Sequence, residues 1–263
     1  MGYPSVDFDF WGLPIYNLMA IVGLLCSILV MMRKQRMLGI GIKQEEKVNF
    51  SFMLAIPAAL LFANLVNWVM MPDVLDAPVL ERFQIAGFTF YYGMFGFFGS
   101  AALLLRLRGC DVRFWINEAV PCVLIFHVFG RIGCSLVGCC YGVVIEHMVL
   151  AFERFPAREL EAIGLFLMFL VFMFKIKRKR LKLYLMSYAV MRFFLEYGRG
   201  DFRGYLLTDA ISPAQVTSIA VFGACVLWSA VSACVRTNKK QNVDSNQVTP
   251  PATHRQTRPH TPS

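Results

Sequence analysis

The chain has 263 residues, of which 57% are hydrophobic and 16% charged, with a mean hydropathy of +0.55. This composition excludes a soluble domain of ordinary make-up and describes an integral membrane protein. The net charge of +9 does not mark a nucleic-acid binder, because the basic residues fall in short clusters between apolar runs, as a positive-inside topology signal does.

Apolar runs of roughly 17–25 residues, the length that crosses a bilayer, occur at about 12–32, 50–71, 87–107, 114–138, 159–175, 183–198 and 212–235, the fifth and sixth being the shortest. The N-terminus carries Asp7 and Asp9 and no Lys or Arg, so the first run reads as a retained span rather than a cleaved signal peptide. Its start carries Trp11, Tyr16 and Asn17, of which an interfacial aromatic belt explains Trp11.

Loop charge sets the orientation. Arg33, Lys34, Arg36, Lys43 and Lys47 follow the first run, and Arg106, Arg108 and Arg113 join the third to the fourth. A basic cluster from Lys175 to Lys182 joins the fifth to the sixth, and Arg236, Lys239 and Lys240 follow the seventh. With seven spans all of these lie on one side, opposite Arg82, Arg154, Arg158, Arg199 and Arg203. The expected fold is therefore an all-α polytopic membrane protein of about seven transmembrane helices, N-terminus outside and C-terminus cytosolic.

Residues 1–236 form the expected membrane domain, and 237–263, rich in Asn, Gln, Thr and Pro, a disordered cytosolic tail. His254 and His260 in that tail read as solvated linker rather than metal ligands. The sequence shows no nucleotide-binding glycine loop, zinc-type Cys/His spacing or internal repeat.

Two stretches place ionisable groups in otherwise apolar segments. His127 to Gly142 holds Arg131, Cys134, Cys139 and Cys140 with Gly130, Gly133, Gly138 and Gly142. A charge at membrane depth needs a partner, a wet cavity or a ligand, while such glycines serve close helix packing or a close ligand equally well. Counting about 1.5 Å per residue from Arg113 sets Arg131 roughly 27 Å along its helix, in the outer part of the membrane.

In the sixth run Tyr188, Arg192, Glu196 and Arg199 are spaced four, four and three apart, which stacks them on one helical face. Taken alone this is an ion ladder, with Glu196 between Arg192 and Arg199. Adding Arg131 sets three cations against Glu196 and Asp201, with Glu161 a further candidate counter-ion, and an excess of positive charge in the outer leaflet suggests an anionic ligand, the most available there being a lipid phosphate. A packing and topology device is the competing reading. Tyr91 and Tyr92 in the third run reach the same depth.

With both arginine stretches in view, the chain resembles the bacterial phosphatidylglycerol–prolipoprotein diacylglyceryl transferases. The resemblance is carried by Gly130-Arg-Ile-Gly133 closing at Gly142, by Tyr188, Arg192, Glu196 and Arg199 followed by Asp201, by Pro156, Glu161 and Ala162, and by Ser212-Pro-Ala-Gln215. It covers the first span to about residue 235 and implies a multi-pass protein of the bacterial cytoplasmic (inner) membrane. It further implies transfer of a diacylglyceryl group from phosphatidylglycerol to the lipobox cysteine of an exported prolipoprotein, with no cofactor and no metal. Arg131 and Arg192 are then the candidates for the lipid phosphate, Arg199 and Glu196 their organisers, and Tyr188, Tyr16 and Gly142 further contacts of the lipid site.

The family's span-three histidine, often given the role of base, falls at Tyr91, its asparagine after the Gly-Arg motif at Cys134, and a later acidic residue at Cys139. A phenol of pKa about 10 is a poor base at neutral pH unless a neighbouring arginine lowers it. His127, one turn before Arg131, is the alternative base, with packing as its competing role. Cys134, Cys139 and Cys140 read as a redox pair, a soft-metal site or inert small residues; adjacent cysteines rarely bridge, so a disulfide would join Cys134 to one of the other two. Two alternatives to the transferase follow: a non-catalytic member of the fold that binds lipid or peptide, and a membrane thiol-redox protein.

Overall fold

The computed structural model describes residues 9–10, 13–70, 90–149, 152–200 and 211–247. Seven helices account for most of them: α1 Ile15–Leu38, α2 Ile42–Met70, α3 Phe90–Leu107, α4 Val112–Val137, α5 Ala157–Phe174, α6 Arg180–Tyr197 and α7 Pro213–Gln247. A short pairing of β1 Asp9–Phe10 with β2 Leu13–Pro14 precedes them, and an antiparallel ribbon of β3 Val144–Val149 and β4 Phe152–Arg154 lies between α4 and α5. The protein is an all-α polytopic membrane protein, as the hydropathy pattern predicts.

Among the described residues four helices are long and apolar enough to cross a membrane: Ile15–Leu38, Ile42–Leu65, Val112–Val137 and Pro213–Val235. The other three, α3, α5 and α6, have 18 residues each, about 27 Å of helix against a hydrocarbon core of about 30 Å. α5 and α6 fall short in apolarity because they carry the ionisable residues described below. Leu29, Leu103, Leu227 and Trp228 are all exposed, an inverted surface that suits contact with lipid rather than water.

Local sequence explains where the helices begin and end. Asp111 caps α4 by accepting from the Phe114 amide at 3.1 Å, and Gly138 ends it in the left-handed conformation at φ +77°. α7 starts with a reciprocal capping box: the Gln215 amide donates to Ser212 Oγ at 3.2 Å, and the Ser212 amide donates to Gln215 Oε1 at 3.1 Å, with Pro213 in the first turn. The same helix runs on through Thr237, where the composition turns polar, to Gln247; residues beyond that, including His254 and His260, lie outside those described.

α4 is the most enclosed helix, packed by α1, α5, α6 and α3, while α2 pairs with α3 and α7 with α6. Close approach is built in: a β-carbon at Gly96 of α3 would stand 2.6 Å from Phe62 Cβ of α2.

Four residues counted in the sequence as loop charge, Lys34, Arg158, Arg180 and Arg199, are buried in the fold. Lys34 of α1 and Arg180 of α6 both pair with Glu118 of α4, at 6% and 4% exposure, and Arg180 also donates to the Ile176 carbonyl at 2.6 Å. A charge near the end of one helix finds its counter-ion on a neighbour, which periodicity along one chain segment does not reveal. The other two, Arg158 and Arg199, belong to the site.

Candidate active site

The inner face of α4 carries His127, Arg131 and Cys134 at intervals of four and three, so all three point the same way and all are buried. A charge so placed must be paired. Its partner is Glu161, on α5 and 1% exposed, whose Oε1 accepts from Arg131 Nη2 at 2.9 Å and from the Tyr188 hydroxyl at 3.0 Å. His127 Nε2 stands 3.9 Å from the same oxygen. One carboxylate therefore ties α4, α5 and α6 together.

The α6 ladder forms as its spacing predicts. Arg192 Nη2 lies 2.7 Å from Glu196 Oε2, Arg199 Nε lies 3.7 Å from that oxygen, and Ser212 Oγ donates to Glu196 Oε1 at 2.8 Å from the start of α7. Arg192 and Arg199 also lie within electrostatic reach of Glu161, which makes the ladder and the Arg131 pair one charged layer. Among the described residues, that layer holds three guanidinium groups, of Arg131, Arg192 and Arg199, against two carboxylates, of Glu161 and Glu196. Arg131 Nε and Arg192 Nη1 are buried there with no hydrogen-bond partner among the described residues. Asp201, the third acid of the sequence motif, lies outside the described residues.

Aromatic rings wall the layer. Tyr91 on α3 is buried, stacks at a tilt on Tyr188 with 5.3 Å between centroids, and shares a 2.9 Å hydrogen bond with Ser218 Oγ of α7. His127 meets Tyr188 edge-on at 5.1 Å. Tyr16 of α1 packs over Gly133, where a β-carbon would stand 3.1 Å from the Tyr16 ring, and lies within electrostatic reach of Arg131 and all three cysteines.

Gly142 closes the layer by backbone contact. It bridges Arg199, the Val143 amide donates to the Gly198 carbonyl at 3.0 Å, and the Gly200 amide donates to the Tyr141 carbonyl at 3.0 Å. The loop after α4 is thereby sewn to the end of α6, which fixes Arg199. A β-carbon at Gly142 would overlap the Phe155 carbonyl oxygen and stand 2.8 Å from that of Gly198. Gly142→Ala should therefore cost about 1–3 kcal/mol, the scale of overpacking, read as a lower thermal unfolding midpoint in detergent together with a lower transfer rate.

The three cysteines come together although five residues separate the first two. Cys134 sits in the last turn of α4, the chain reverses at Gly138, and Cys140 takes the left-handed conformation at φ +58°, bringing the three sulfurs within 4.8 Å of one another. Arg158, 3% exposed, fixes this loop by donating from Nη1 to the carbonyls of Cys139 at 2.9 Å and Cys134 at 3.4 Å, while its Nε pairs with Glu159 at 2.8 Å. Ser135 Oγ donates to the same Glu159 oxygen at 2.7 Å. In the loop, the hydrogen bond to Cys134 pulls the Cys139 thiol down, while that from Cys140 and burial push it up, and the net direction is above an ordinary thiol. None of the eight cysteines is joined in a disulfide in the structure.

The candidates named from sequence thus meet in one place. Missing from them were Glu161 as the centre of the layer, Ser212 and Ser218, which secure Glu196 and Tyr91, and Arg158, which holds the cysteine loop. Their signals were faint: Glu161 was counted only as a further counter-charge, Ser212 stood in a matched segment without an assigned role, and Arg158 looked like any loop arginine.

Fold and site together define a helical membrane protein with a cationic layer enclosed among its spans, suited to an anionic group. The prolipoprotein diacylglyceryl transferase family model matches residues 6–231, and the chain belongs to that family. It is 26% identical over 233 residues to the phosphatidylglycerol–prolipoprotein diacylglyceryl transferase of Clostridium tetani (strain Massachusetts / E88), covering 81% of this chain and 92% of that protein. It is also 26% identical over 246 residues to the corresponding transferase 2 of Clostridium perfringens (strain 13 / Type A), covering 84% and 93%. A shorter stretch of 73 residues, 27% of this chain and 14% of the relative, is 40% identical to the transferase of Rhodopirellula baltica (strain DSM 10527 / NCIMB 13988 / SH1).

Proposed function

We propose that this protein is a transferase that moves the diacylglyceryl group of phosphatidylglycerol onto the lipobox cysteine thiol of an exported prolipoprotein. The observation that carries this reading is the charge of the enclosed layer. Among the described residues three guanidinium groups face two carboxylates, and a phosphodiester headgroup brings a negative charge to them. The unpartnered Arg131 Nε and Arg192 Nη1 are the donors it would engage.

In this reading Arg131 and Arg192 hold the lipid phosphate. Glu161 and Glu196 aim them, and Arg199 and Gly142 fix the far end of the layer. As the carbon–oxygen bond breaks, charge accumulates on the departing glycerol phosphate, and preorganised guanidinium groups in a water-poor site stabilise it more than water does. Tyr188, held by Glu161, and Tyr16 border the headgroup. The two base candidates both border the layer: Tyr91 is engaged with Ser218, and His127 packs beside Glu161.

Loop charge supports a multi-pass protein of the bacterial cytoplasmic membrane, N-terminus outside, which opens the layer to the outer leaflet where exported substrates arrive. Purified protein incubated with phosphatidylglycerol and a lipobox peptide should add the mass of one diacylglyceryl group to the peptide. No mass gain under conditions where the Clostridium tetani relative works would overturn the assignment.

A further inference from the structure

We infer that Cys134, Cys139 and Cys140 form a three-thiolate zinc(II) site whose open fourth position takes the sulfur of the acceptor cysteine. This rests on the transferase reading and adds a step to it.

The three sulfurs lie within 4.8 Å of one another, and no fourth Cys, His, Asp or Glu ligand joins them among the described residues. At a zinc–sulfur distance of about 2.3 Å, three corners of a tetrahedron stand about 3.8 Å apart, so the ion fits with small side-chain adjustments. Thiolates favour closed-shell ions such as zinc(II), and three protein ligands with a vacant corner are the pattern of catalytic rather than structural zinc. A single disulfide would use two of the sulfurs and leave the third without a role.

The loop is organised to present them. Arg158 holds the carbonyls of Cys134 and Cys139, and Cys140 adopts a left-handed backbone uncommon for a side chain other than Gly, Asn or Asp. The location is also right. Cys134 is three residues beyond Arg131 on the same face of α4, and Tyr16 interacts with Arg131 and all three sulfurs.

The chemistry answers the question left by Tyr91. A thiol bound to zinc gives its proton to solvent and stays a thiolate, so no side-chain base is required. Its sulfur attacks the glyceryl carbon bearing the phosphate oxygen and forms the carbon–sulfur bond. The carbon–oxygen bond breaks, its electron pair leaves on glycerol phosphate held by Arg131 and Arg192, and the neutral thioether, a weak ligand, departs from the metal. No oxidant or reductant takes part.

The full-length protein, purified reduced, should hold about one zinc per chain by elemental analysis, lost in the Cys134→Ser/Cys139→Ser/Cys140→Ser variant. Cobalt(II) substituted into the wild type should show thiolate charge-transfer bands, and its ligand-field bands should shift on adding a lipobox peptide but not a peptide with serine in place of the cysteine. Removing the metal with a chelator should slow transfer at least tenfold, with zinc restoring it, a comparison that needs no variant to fold. The proposal is overturned by undiminished transfer after complete zinc removal, by equal zinc in the triple variant, by a cobalt spectrum indifferent to the peptide, or by a disulfide trapped stoichiometrically in protein taken from membranes. Zinc binding with a peptide-dependent spectrum but no transfer in any form would instead sink the transferase reading, and the catalytic role with it.

Discussion

Arg192→Ala is expected to lower the transfer rate by at least about 100-fold while leaving the protein folded. The reasoning is geometric. Glu196, which loses its 2.7 Å partner, keeps Arg199 at 3.7 Å and the Ser212 hydroxyl at 2.8 Å, so no carboxylate is stranded. What disappears is a preorganised donor for the departing phosphate, and loss of one such donor costs a factor of about 100 to 1,000 in comparable sites. Arg192→Lys should fall between the two, because an ammonium keeps the charge but does not present the planar fork that serves Glu196 and a phosphate oxygen together. Rates with phosphatidylglycerol and a lipobox peptide, alongside thermal unfolding in detergent, check both halves. A rate within threefold of wild type would remove Arg192 from the phosphate site.

Glu161→Ala is expected to damage stability as well as turnover. It leaves Arg131 buried without its 2.9 Å partner and the Tyr188 hydroxyl without its acceptor. Breaking a buried pair from one side typically costs about 3–5 kcal/mol, which would show as a markedly lower unfolding midpoint. Glu161→Gln keeps an acceptor for Tyr188 and should be milder. A readout beyond stability separates an electrostatic role from a packing one: without this carboxylate the layer holds, among the described residues, three cations against one anion. Phosphatidylglycerol should then raise the unfolding midpoint of Glu161→Gln by more than it raises that of the wild type, whereas a neutral diacylglycerol should not.

The α6 ladder was legible in the sequence because one helix carries both partners, and 3.6-residue periodicity places Arg192, Glu196 and Arg199 on one face whatever packs around them. The Glu161 pair was not legible in the same way. Thirty residues separate it from Arg131, and only the packing of α5 on α4 brings 2.9 Å between them. Lys34 and Arg180 show the same limit: counted as loop charge, they are ion-paired to Glu118, because a helix end says nothing about which neighbour covers it.

Apolar run lengths, loop charge and helical spacing belong to single segments, and by themselves they determined a multi-helix membrane protein, its expected orientation and the arginine-rich stripe. Contacts between segments belong to the fold, and only the tertiary structure decided that one carboxylate joins α4, α5 and α6, that Gly142 sews the α4 loop to Arg199, and that Cys134 meets Cys139 and Cys140. The physical reason is that the bilayer fixes what each segment is through its own composition, whereas a buried charge or thiol finds its partner through packing, which depends on residues distant in the chain.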